Sequence, residues 1–197
     1  MAPKNEETFV GLDIGSSRVI CVVGLHQQDS PTPSIIGLGE ATTSGLRRGV
    51  VVDVQSLNSR GVIAVSRADH EITREELARV EQAATAVQLE ANRQILQVIP
   101  KSYTVDDQSG IIDPVGMNGI RLEVDTHIIT GSTPALKNLQ NAVFRSGIQI
   151  NDQLIIPLAA ARTVLTKKQL EQGVALINIG AETTGLAVFQ EGRLTYS

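Results

Sequence analysis

The sequence predicts a mixed α/β protein, and three observations predict it. Short apolar runs separated by glycine-bearing turns fill the first fifty residues, two strongly punctuated helices alternate with strands in the middle, and a second Ile-Gly turn between apolar runs lies near the end. Net charge is -4 over 197 residues, and the basic side chains are scattered, which argues against a nucleic-acid footprint.

From Phe9 the pattern reads as hairpins. FVGLDI (9–14) and VICVVGL (19–25) flank a turn at Gly15 to Arg18, and QQDSPTP, with Pro31 and Pro33, is a connection. SIIGLGEA and RRGVVVDV follow as two more short strands. GVIAVS (61–66) is the next expected strand. EITREELARVEQAATAVQL (71–89) is then a helix, because Thr73 at the N-cap with Glu76 three residues on makes a capping box. Leu77, Val80, Ala84 and Val87 supply its apolar face.

RQILQVIPKSYTV (93–105) reads as a strand leading into the loop SGIIDPVGMNG, with Asp106 and Asp107 as a strand-ending turn. In IRLEVDTHII, Ile120, Leu122 and Val124 alternate with Arg121, Glu123 and Asp125, the pattern of a strand with one wet face. Thr133 as cap, Pro134 at the first position and Gly147 at the end delimit a helix with Leu136, Leu139 and Val143 inward. IQINDQLII (148–156) is read as a strand, and PLAAARTVLTKKQLEQ (157–172) as one helix closed by Gly173.

Several function classes are disfavoured. Cys21 lies in an apolar run and reads as a small buried hydrophobe, and one cysteine permits no internal disulfide. The polar start MAPKNEETF does not resemble a signal peptide, and no apolar stretch nears the roughly 20 residues of a membrane span, so the expectation is a cytoplasmic chain. His26, His70 and His127 lack metal-ligand spacing, no Gly-x-Ser-x-Gly elbow is present, and Arg47 and Arg48 are expected to face solvent.

The remaining chemistry lies in the echo between VGLDIGSSRVICVV and LINIGAETTGLAVF. A turn of the form Asp-x-Gly-Ser-Ser lets backbone N–H groups and hydroxyls approach phosphate oxygens, because glycine permits close approach and unusual dihedrals. Asp13 at the strand end can hold water on magnesium, and Arg18 can add charge-assisted bonds to phosphate. One such turn by itself is more often a ligand-free surface turn. A second copy far along the chain gives the pattern its weight.

VGLDIGSSRVICVVG, GVVVDV, SRGVIAVSRADHEIT, QVIPKSYTVDDQSGIIDPVGMNGIRLEVDTHIITG and LINIGAETTGLAVF together resemble the FtsA family of bacterial cell-division proteins. The resemblance keeps its order over nearly the whole chain. It implies an actin-like (ribonuclease H-like) subdomain, an inserted SHS2-type α+β subdomain and the start of a second actin-like subdomain. The implied boundaries are 1–58 for the first part of the first subdomain, 59–148 for the SHS2-like interaction block, 149–173 for the return with its connecting helix, and 174–197 for the second subdomain.

On that resemblance, Asp13, Gly15, Ser16, Ser17 and Arg18 match the first phosphate loop, and Asn178, Gly180, Ala181, Glu182, Thr183 and Thr184 the second. ATP and magnesium are the implied cofactors, with Asp13 acting on the metal through water and with any ATPase weak. Implied partners are neighbouring FtsA subunits, later division proteins through the SHS2-like block, and FtsZ, at the cytoplasmic face of the inner membrane at the division site. An independent actin-superfamily ATPase or kinase, and a pilus-assembly adaptor of the same superfamily, are the alternatives.

Three departures stand out. Between Val54 and Ser59 the chain lacks a helix and a strand that the family would place there, and the chain ends before the base and ribose site. In the second turn Asn178 and Gly185 stand where the family commonly has Asp, and Glu182 where it has Gly, so hydrolysis is more in doubt than binding.

Overall fold

The computed structural model describes residues 6–27, 30, 32–43, 54–66 and 69–197. The chain forms two compact units. One comprises residues 1–51 with 179–184, and the other residues 52–178 with 185–197.

The first unit holds an antiparallel meander of β1 (Glu6–Ile14), β2 (Arg18–Gln27) and β3 (Ser34–Thr42). Its register runs from Glu6 opposite Gln27 to Ile14 opposite Val19. These are the three strands expected from the N-terminal apolar runs. The strand expected in RRGVVVDV, and the expected exposure of Arg47 and Arg48, lie outside the described residues.

The second unit is built on a four-stranded antiparallel sheet in the order β4-β7-β5-β6. Its strands are β4 (Gln55–Ala64), β5 (Arg93–Val105), β6 (Gln108–Ile111) and β7 (Arg121–Ser132). Helix α1 (Arg74–Ala84) packs on it and encloses Ile72, Val80, Ala84, Leu122 and Val124, all fully buried. Gly61 makes this close packing possible, since a Cβ there would stand 2.2 Å from the Val80 carbonyl oxygen and 2.7 Å from the Ala84 nitrogen. At the helix start Thr73 and Glu76 form the expected capping box, and the Thr73 hydroxyl holds the Glu76 carboxyl below its ordinary range.

A second cluster joins Ile129, Ala161, Ala187, Phe189 and Leu194. It gathers β7, helix α3 (Ile156–Val164) and the sheet β10-β9-β8, formed by β8 (Val174–Ile179), β9 (Thr184–Gln190) and β10 (Arg193–Tyr196). Helices α2 (Thr133–Arg145) and α4 (Lys167–Gln172) complete the elements.

The structure corrects the sequence reading in six places. Helix α1 stops at Ala84 because Thr85 caps it and its hydroxyl donates to the Gln82 carbonyl, so Val87 lies outside the apolar stripe. The stretch after Asp107 opens as strand β6, and the Asp106–Asp107 turn is tied down where the Asp106 carboxylate accepts the N–H groups of Ile120 and Arg121. Strand β7 has no continuous wet face, because Arg60 and Arg121 hold Glu123 and the second hydrophobic cluster covers Ile129 further along the same face; Glu123 is buried, while Ile120 is exposed. The N-cap of α2 is Ser132, and Thr133 is its first helical residue.

Residues 148–155 form no strand, since among the described residues no strand pairs with them and an extended segment without a ladder partner leaves its backbone groups to water. The single helix expected over 157–172 is two. Thr166 interrupts it by capping α4, accepting from the Gln169 N–H while the Gln169 side chain accepts from the Thr166 N–H.

Candidate functional site

The two Ile-Gly turns have the same local geometry. In the first, which joins β1 to β2, the Gly15 N–H donates to the Arg18 carbonyl at 2.9 Å; in the second, which joins β8 to β9, the Gly180 N–H donates to the Thr183 carbonyl at 2.8 Å. A Cβ at Gly15 would lie 3.1 Å from that carbonyl oxygen, and one at Gly180 would lie 3.0 Å from its counterpart. Neither glycine has a positive φ. The residue is needed for close backbone approach and not for a left-handed conformation, which narrows the sequence argument.

Thr43 anchors the first turn from β3. Its N–H donates to the Ser17 carbonyl at 3.1 Å and its hydroxyl to the Ser16 carbonyl at 2.8 Å. The Ser16, Ser17 and Arg18 carbonyls are thereby occupied, whereas among the described residues the Ser16 and Ser17 N–H groups and hydroxyls have no partner. A loop with satisfied carbonyls and unsatisfied donors is suited to an anion. Asp13, opposite Ile20 in the ladder, is exposed. The Arg18 guanidinium lies 3.2 Å from Glu40, both more than half exposed. A surface pair of this kind contributes at most about 1 kcal/mol, so Arg18 can exchange Glu40 for a stronger anion.

The turn at Ile179–Thr184 belongs to the same compact unit as the first turn, whereas Asn178 and Gly185 belong to the other unit. Gly180, Ala181, Glu182, Thr183 and Thr184 are all exposed, and Asn178 is half-buried. Gly185 has a structural reason of its own: a Cβ there would stand 2.7 Å from Pro157 Cγ in α3. An aspartate at this position would have to displace the proline.

Sequence reasoning missed two polar clusters of the second unit. Glu123 is held by Arg121 at 2.8 Å and Arg60 at 3.5 Å, and Arg60 also grips Asp125 at 2.8 Å. His127, buried in the central strand, has Nε2 at 2.9 Å from Ser197 Oγ and Nδ1 at 3.4 Å from Asn58 Oδ1. Because an amide oxygen only accepts, Nδ1 carries the proton and Nε2 accepts from Ser197. Burial, with a smaller contribution from Lys101, lowers the His127 pKa. The β4–β7 ladder sets Arg60 opposite Asp125 and Asn58 opposite His127, and packing of the chain after β10 brings Ser197 to His127, so distant partners decide both clusters. Among the described residues no group of three His, Cys, Asp or Glu side chains converges as a metal site would.

Comparison with known proteins agrees with the resemblance read from the sequence. Residues 52–130, which contain β4, α1, β5, β6 and nearly all of β7, match the family described as the SHS2 domain inserted in FtsA. The chain resembles the N-terminal portion of FtsA and carries its SHS2 domain.

Cell division protein FtsA of Bacillus subtilis is 37% identical, over 97% of this chain and 51% of that protein. FtsA of Pseudomonas aeruginosa is 32% identical, over 96% and 53%, and FtsA of Neisseria meningitidis 31%, over 94% and 52%. The chain therefore spans about half the length of these FtsA relatives. The alignments run over 220 to 225 positions, more than the 197 residues present, so the FtsA relatives carry positions within this span that the chain lacks.

Among solved structures, a type IV pilus biogenesis complex, PilM–PilN, superposes with a TM-score of 0.59 over 94% of this chain and 59% of that one, at 13% identity. That likeness is one of fold. The α/β class with an inserted SHS2 domain agrees with the FtsA reading of the sequence.

Proposed function

We propose that this chain acts in bacterial cell division as an FtsA-type adaptor, binding the phosphates of magnesium-ATP with its two Ile-Gly turns. The carrying observation is the pair of turns with one geometry: each closes on a glycine N–H to carbonyl bond, and both fall in one compact unit. In this reading Gly15, Ser16 and Ser17 offer backbone N–H groups and hydroxyls to one phosphate, with Arg18 beside them, while Gly180, Ala181, Thr183 and Thr184 face the next. Asp13 orders water on magnesium.

Asn178 keeps the shape of an acid without its charge, and a unit charge pair at 4 Å contributes about 4 kcal/mol at an effective dielectric near 20. Glu182 adds like charge beside phosphate. Nucleotide is therefore held loosely, and hydrolysis is slow or absent. The SHS2 block supplies contacts to neighbouring FtsA-type subunits and other division proteins. In this reading the chain works with FtsZ at the inner face of the membrane, as the sequence resemblance implies. The pilus reading has only a likeness of fold behind it.

The test is calorimetric titration of the purified chain with magnesium-ATP, beside Asp13→Ala and a titration with ATP in EDTA. Binding that weakens about tenfold in Asp13→Ala and in EDTA supports the reading. No heat from a folded chain, or affinity indifferent to both changes, refutes it.

A further inference from the structure

The two Ile-Gly turns differ in one respect: only the first is held from outside its own hairpin. The β2–β3 ladder ends with Arg18 opposite Thr42, which sets the next residue, Thr43, beside Ser17. There the Thr43 hydroxyl donates to the Ser16 carbonyl at 2.8 Å, in a part-buried bond, and the Thr43 N–H donates to the Ser17 carbonyl at 3.1 Å. Among the described residues no donor is bonded to the Ala181 or Glu182 carbonyl in the second turn.

We infer that Thr43 is a positioning residue of the phosphate site, which aims the Ser17 N–H at the bound anion by holding the Ser16 carbonyl. The inference rests on the phosphate-binding reading above. A trans peptide is planar, with its C=O and N–H pointing in opposite directions. The Ser16 carbonyl and the Ser17 N–H belong to one such unit, the middle peptide of the turn from Gly15 to Arg18. Holding the carbonyl toward Thr43 therefore sends the Ser17 N–H away from it, and there that donor has no partner among the described residues.

The same bond keeps the negative end of the peptide off the ligand. Without it the middle peptide can rock, swinging its oxygen toward a phosphate and its N–H off line. Complete reversal is resisted separately. Turning over a middle peptide demands a positive φ at the third residue of the turn, and neither Ser16 nor Ser17 has one. Loss of the Thr43 hydroxyl thus loosens the peptide without reversing it. The expected effect is that of one poorly aimed hydrogen bond, about three- to tenfold in affinity, because a donor held in place before binding has less order to gain.

The test is a magnesium-ATP titration of the isotope-labelled full chain by NMR, which reads affinity and the Ser17 amide shift together. Wild type is compared with Thr43→Val, which keeps the shape and removes the hydroxyl, with Thr43→Ser, which restores the hydroxyl, and with Thr42→Val, which removes a hydroxyl one residue away. Thr43 belongs to neither hydrophobic cluster, so circular dichroism should coincide throughout. Thr43→Val should bind about three- to tenfold more weakly, with a smaller movement of the Ser17 amide, while Thr43→Ser and Thr42→Val match wild type.

Full affinity in Thr43→Val, or Thr43→Ser as weak as Thr43→Val, would overturn this inference and leave the phosphate reading standing. The wild-type chain decides even where a variant fails to fold, since binding with no movement of the Ser17 amide also overturns the role given to Thr43. A folded wild-type chain that does not titrate overturns both.

Discussion

Replacing Gly61 with alanine tests the packing of the SHS2 block, because the structure leaves no room for one methyl group. The added Cβ would stand 2.2 Å from the Val80 carbonyl oxygen, well inside ordinary contact of 3.4 Å or more, and both close neighbours are backbone atoms of α1. The helix must retreat by roughly 1 Å, and a gap of that size forfeits a quarter to a half of each dispersion well across the interface. Val80 and Ala84 are fully buried there, as is Val124, which Gly61 opposes in the ladder. Overpacking of a close-packed interior costs about 1 to 3 kcal/mol, and the upper end applies where the obstacle is backbone.

Urea unfolding followed by circular dichroism should show the midpoint of Gly61→Ala falling by about 1 M or more, at an ordinary slope of about 1 to 3 kcal/mol/M. Gly110→Ala is the comparison. Gly110 has φ +79° and nothing within 4 Å of an added Cβ, so its cost is the left-handed conformation alone, about 1 to 2 kcal/mol. A Gly61→Ala midpoint at or above that of Gly110→Ala would refute the reasoning.

Three further outcomes are expected. Thr73→Ala removes the hydroxyl shared with Glu76 and should destabilise by about 1 kcal/mol in the same urea assay, with no change in slope. His127 has a folded-state pKa below its unfolded value, so its neutral form is favoured on folding: its contribution is full above pH 6.5 and declines as pH falls from there toward the folded pKa. The wild-type midpoint should therefore drop through that window, with a slope of at most about 1.4 kcal/mol per pH unit from this group, and His127→Gln should flatten it. Gly15→Val places a branched side chain 3.1 Å from the Arg18 carbonyl and should open the first turn, weakening magnesium-ATP binding in calorimetry while circular dichroism stays unchanged.

Local chemistry was legible in the sequence. The capping box at Thr73, the turn at Asp106 and Asp107, the hairpin around Gly15 and the echo at Gly180 are each set within a few residues, so their signals stand next to one another in the chain. The order of the middle block was equally readable, and so was the resemblance to FtsA. What failed depended on distant partners. Residues 148–155 have strand-forming composition, yet a strand exists only with a ladder beside it, and none pairs with them. The alternation in β7 predicted a wet face, but Arg60 and Arg121 hold Glu123 and the second cluster covers Ile129 on that face. The helix over 157–172 divided because Thr166 caps a second helix with Gln169, a local signal inside a run otherwise free of glycine and proline after Pro157.

The sequence by itself therefore determined the class and the hairpins at the two Ile-Gly turns, because turns and caps are short-range hydrogen-bond problems. Only the tertiary structure decided that glycine at 15 and 180 serves close approach and not a left-handed φ, that Gly185 yields to Pro157, and that His127 is buried against Ser197 and Asn58. The last two follow from which surfaces exclude water together, and burial is a property of the assembled chain that no local window contains.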